Sequence, residues 1–173
     1  MADPSVLDFL RIPSPVLVAL DWRPYHFALQ PYHYLVRAVH VLAMGAFFGG
    51  IALLDLRLIG WRGMLPLRPL ADLVLPWVYG MFALAIATGF ALFFYDPVHV
   101  GSHAYFTLKL VLTALAVTNA ALFRRTGYFA SLTNDVPMTA HPRIVGVISL
   151  VLWTGVVICA CLNVEAAPKV LLR

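Results

Sequence analysis

Four long apolar runs, at residues 31–58, 70–95, 104–123 and 143–163, are separated by short polar stretches. Each is at least as long as the ~20 helical residues that cross a hydrocarbon core about 30 Å thick, so each predicts a transmembrane helix. Pro31, Tyr32 and Tyr34 mark the start of the first run, and Pro76 and Trp77 lie near the start of the second. Short connections make sequence neighbours pack antiparallel. The predicted fold is therefore all-α, an integral membrane antiparallel four-helix bundle.

Residues 1–30 break this pattern. They carry five acidic or basic side chains and several prolines around two short apolar pieces, VLDFL at 6–10 and PVLVAL at 15–20. Such a segment is expected to lie on the membrane surface rather than to cross it. The organisation expected is one domain: an interfacial segment at 1–30, the bundle at 31–163 and a short tail at 164–173.

Composition strengthens the membrane assignment. Hydrophobic residues make up 62% of the chain and charged residues 12%, against about 25% charged in soluble domains. Mean hydropathy is +0.87. The net charge of +4 does not indicate a nucleic-acid partner, because the basic residues gather at the ends of the apolar runs.

Those basic residues set an expected orientation. Arg57, Arg62 and Arg68 flank the first connection, Arg124, Arg125 and Arg143 flank the third, and the second, from Asp96 to His103, holds none. The positive-inside rule then puts the first and third connections in the cytoplasm, and the second connection and both termini outside. Arg11, Arg23, Lys169 and Arg173 on the outer side weaken this bias without reversing it.

Five of the six histidines fall on the expected outer side: His26, His33, His40, His99 and His103, with His141 the exception. The first three are spaced by sevens, which keeps them near one face if helix extends upstream of the first span. His40 lies 17 residues from Arg57, about 25 Å, and His103 lies 21 residues from Arg124, about 31 Å. Two imidazoles from different helices at similar depth suit the axial positions of a b-type haem. His40 and His103 are the candidate ligands, Gly45, Gly49 and Gly50 the candidate space for a flat ring, and Arg37 and Lys109 the candidate counter-charges for the propionates.

Blander readings apply to the same residues. A membrane histidine often only hydrogen-bonds a neighbouring helix, and the Gly45–Gly49 spacing is common in plain helix packing. Arg37 and Lys109 can snorkel to the surface, or Lys109 can pair with Asp96. His33 or His99 can replace His103 opposite His40. Copper is the rival metal: His99 and His103 stand at i and i+4, with Met44, Met81, Cys159 and Cys161 as soft donors. The two cysteines are about 200° apart on a helix and cannot bridge each other. Asp55, Arg57 and Asn119 lie in the other leaflet, where an ion pair capping the bundle accounts for them.

Several segments carry a family likeness: HVLAMGAFFGGIALLDLRLIG at 40–60, LPW at 75–77, FALAIATGFALFF at 82–94, FTLKL at 106–110 and TNAALF at 118–123. Over 31–163 the chain resembles a family of small bacterial four-helix membrane proteins of unassigned function. It is more distantly similar to the membrane part of CopD-type copper resistance proteins and to the two-haem cytochrome b superfamily. The resemblance implies a bacterial inner membrane and points to His40, Asp55, Arg57, Lys109 and Asn119, without supplying a second haem ligand.

The expected function is a b-type haem electron-transfer subunit with its site in the outer leaflet, exchanging electrons with other membrane subunits or quinol. The alternatives are a cofactor-free accessory or assembly subunit of a larger membrane complex, and copper handling at the outer face. No nucleophile elbow, Walker loop or HExxH motif is present, which argues against hydrolase or transferase chemistry.

Overall fold

The computed structural model describes residues 10–61, 66–125 and 140–165, and every regular element among them is a helix. In chain order these are α1 (Ser14–Leu20), α2 (Arg23–Leu29), α3 (His33–Ile59), α4 (Leu67–Tyr95), α5 (Pro97–Gly101), α6 (Ala104–Arg125) and α7 (Ala140–Glu165). Arg62, Lys169 and Arg173, used above to orient the chain, lie outside the described residues, as do residues 1–9.

Helices α3, α4, α6 and α7 are long and apolar enough to cross a membrane, so this is a multi-pass membrane bundle. Their 27, 29, 22 and 26 residues correspond to roughly 33–44 Å at 1.5 Å per residue. Helix is what lipid imposes, because a backbone without water must satisfy its own donors and acceptors. The structure extends the expected spans by up to one turn, to Leu67 at the start of α4 and to Arg125 at the end of α6.

Local sequence sets the helix ends. Gly60 has φ +116°, a left-handed conformation that glycine adopts without strain. Its N–H reaches the Arg57 carbonyl and that of Trp61 reaches Leu56, closing α3 in a Schellman motif. Asp96 begins α5 by accepting the His99 N–H on its side chain, with Pro97 in the first helical position. Pro76 sits inside α4, where it removes one i→i−4 bond.

Helices α3 and α4 run antiparallel along a regular seam. His33 stacks on Tyr95, His40 bonds Thr88, and Phe47 meets Phe82, so steps of seven on α3 match steps of six or seven back along α4. Helix α3 also packs on α7, and α7 on α6. Helices α4 and α6 meet through long side chains, with Phe93 stacked on Phe106 and Arg124 bonding the Tyr79 hydroxyl.

Burial from water does not drive helices together in lipid, so close packing has to. Ala71 and Ala116 are fully buried, and Ala43 and Ala85 nearly so. At Gly146 of α7 a Cβ would stand 2.9 Å from the Asp55 carbonyl oxygen of α3, so the two backbones cross there at glycine distance. The middle of the bundle is filled by Phe47, Phe82 and Trp153, whose ring centroids lie 4.6–5.8 Å apart.

The described part of the N-terminal segment folds as α1 and α2, which rest on α5 and α4. The Tyr25 hydroxyl donates to the Ala91 carbonyl, and His26 Nδ1 donates to that of Tyr95. Both α2 contacts use the last turns of α4, so the segment sits at the end of the bundle where α3 begins. That end is called the histidine end below, and the opposite one the arginine end.

Candidate functional site

His40 lies half-buried between α3 and α4. Its Nδ1 is 3.0 Å from Thr88 Oγ1. The Thr88 hydroxyl spends its single proton on the Leu84 carbonyl, 2.7 Å away. With that proton on a backbone carbonyl, Oγ1 is an acceptor for an Nδ1–H of His40, and the ring also hydrogen-bonds the Ala85 backbone. A hydrogen-bonded partner on one ring nitrogen is how ligating histidines are oriented.

Gly89 completes the seat. A Cβ at this position would come within 3.1 Å of His40 Cε1, so the ring lies directly against the α4 backbone. Gly45 and Gly49, expected to open space for a flat ring, have nothing within 4 Å of an added Cβ, and Gly50 packs against Val78. The glycine that makes room for the histidine is on the neighbouring helix, one residue after Thr88.

Lys109 approaches from α6. The Phe93–Phe106 stack fixes the α4–α6 register, placing Lys109 within roughly 3 Å of the Thr88 level along the bundle axis. Its charge acts on both His40 and Cys159 of α7. The ammonium lies 5.3 Å from the Phe106 ring centroid and forms no ion pair with the described residues. The expected pairing with Asp96 is absent, because the carboxylate of Asp96 caps α5 instead. Nearby on α6, the Thr107 hydroxyl is buried without a partner, as is Asn163 Oδ1 toward the histidine end of α7. Arg37, one turn from His40, is exposed and likewise unpaired among the described residues.

The structure does not bring His103 to His40. By the same register His103 stands eight residues, about 12 Å, closer to the histidine end than the His40–Thr88 level. Its ring instead meets His99 edge to face at 5.5 Å. Two nitrogens on one iron are about 4 Å apart, since each metal–nitrogen bond is about 2 Å. His103 is therefore too far along the bundle axis to share one metal ion with His40. His33 stacks on Tyr95 with Nδ1 bonded to the Gln30 carbonyl, seven residues or about 10 Å along α3 from His40.

His99 and His103 are neighbours as the copper alternative requires, but no three His, Cys, Asp or Glu side chains come together among the described residues. Met44 and Met81 pack on the central cluster. Cys159 is buried, while Cys161 is exposed.

The arginine half also differs from expectation. Asp55 turns inward to Ser149 of α7 instead of pairing with Arg57; residues two apart on a helix point about 200° apart. The Asn119 side chain donates to the Val145 carbonyl and ties α6 to α7.

Comparisons with protein-family models, with curated proteins and with solved structures give no match to this chain.

Proposed function

We propose that this chain is an electron-transfer subunit of the bacterial inner membrane that carries b-type haem at His40, with the histidine end and both termini outside. The observation carrying this reading is the seat of His40: an imidazole inside a membrane span, oriented by Thr88 through Nδ1 and laid against Gly89 of the neighbouring helix. Haem, when bound, supplies reversible one-electron chemistry at its iron. Within the chain, Thr88 orients the imidazole, Gly89 lets it lie against α4, and Arg37 and Lys109 provide cations for the propionates. His103 is left out, so His40 is the single histidine ligand assigned. Other membrane subunits and quinol are the electron partners in this reading.

The outward orientation rests on the arginines flanking the first and third connections. The family likeness between residues 31 and 163 supports the bacterial inner membrane.

A second reading, a cofactor-free accessory subunit, is favoured by the ring cluster of Phe47, Phe82 and Trp153, which fills the middle of the bundle. One experiment separates the two. Oxidised and dithionite-reduced absorption spectra of detergent-purified protein, with pyridine haemochrome quantification, should give one haem per chain, lost in His40→Ala and retained in His103→Ala. A flat spectrum from cells supplied with haem would remove the first reading and leave the second.

A further inference from the structure

Asp55 is 3% exposed, inside the last two turns of α3. One side of its carboxyl is bonded by the Ser149 hydroxyl of α7, and Oδ2 has no hydrogen-bond partner. Among the described residues the carboxyl has Ser149 as its side-chain hydrogen-bond partner and no Lys, Arg or His beside it. Space is tight, because α3 and α7 cross at Gly146 against the Asp55 carbonyl. An ionised carboxylate left this way inside a membrane protein is strongly unfavourable unless something neutralises it. Calcium needs six to eight oxygens and magnesium six, whereas among the described residues no three His, Cys, Asp or Glu side chains come together. The smallest neutralising species, a proton, suits the space and the donor set.

We propose that Asp55 is an intramembrane proton-binding site, with Oδ2 as the atom that takes the proton. An O–H bond forms on Oδ2 as one breaks in hydronium, releasing water, and the carboxyl goes from one negative charge to none. The proton comes from the arginine end. Asp55 is about one turn from Gly60 on that side, whereas His40 is 15 residues or about 22 Å away, beyond the Phe47–Phe82–Trp153 cluster. The site involves none of the residues assigned to haem and stands whether or not haem is bound.

The test is infrared spectroscopy of the full chain in lipid at neutral pH, in H2O and D2O. The expected result is a carboxylic-acid C=O band that shifts in D2O and is lost in Asp55→Asn. Should that variant fail to fold, Asp55→Glu must move the band instead. No acid band in the wild-type protein, or a band unchanged by both substitutions, overturns the proposal. So does a band replaced by carboxylate absorption on adding sodium, which would make Asp55 a cation ligand.

Discussion

Thr88→Val tests the seat of His40 directly. Valine keeps the shape of threonine but removes Oγ1, leaving the Nδ1–H of His40 without its acceptor 3.0 Å away. A stranded buried donor costs about 1–3 kcal/mol in proteins generally. Measured inter-helix hydrogen bonds in membranes average nearer ~0.6 kcal/mol, with an upper end of ~1.7. His40 is only half-buried and can move its proton to Nε2, so about 1 kcal/mol is expected. Thr88→Ser keeps the oxygen and should cost less than half of that. The assay is reversible unfolding by added sodium dodecyl sulfate in mixed micelles, run as a double-mutant cycle with His40→Phe. The two substitutions should couple by roughly 1 kcal/mol, since each removes the same bond. A cycle that closes to zero would refute the assigned bond.

Other substitutions probe the rest of the site and the packing. Gly89→Val should push the His40 ring off α4, and in the haem reading lower the haem content several-fold, by haemochrome assay. Gly146→Leu should destabilise the bundle by at least ~2 kcal/mol by forcing α3 and α7 apart, whereas Gly45→Ala and Gly49→Ala, open on the lipid side, should be neutral or gain up to ~1 kcal/mol; the same unfolding assay ranks them. Tyr95→Leu removes the ring on which His26 and His33 both stack, so residues 14–30 should exchange amide hydrogens faster while the four spans stay protected.

The apolar runs determined the architecture by themselves. A lipid solvent leaves helix as the form in which such runs can bury their backbone, and short connections then make neighbours antiparallel. The spacing of His33 and His40 was equally legible and meets Tyr95 and Thr88, seven residues apart on α4, whereas His26 lies on the separate helix α2 and stacks on the same Tyr95. What the sequence could not supply was the offset between helices that do not pack closely. Depths counted from Arg57 and Arg124 assume that both arginines stand at one level. The Phe93–Phe106 stack instead sets α6 about one turn toward the histidine end, which enlarges the His40–His103 gap from one turn to about 12 Å. The roles of Gly89 and of the free Asp55 Oδ2 were likewise decided in three dimensions. Both arise where two helices meet, and the periodicity of a single helix shows which face a residue is on but not which atom it will find opposite.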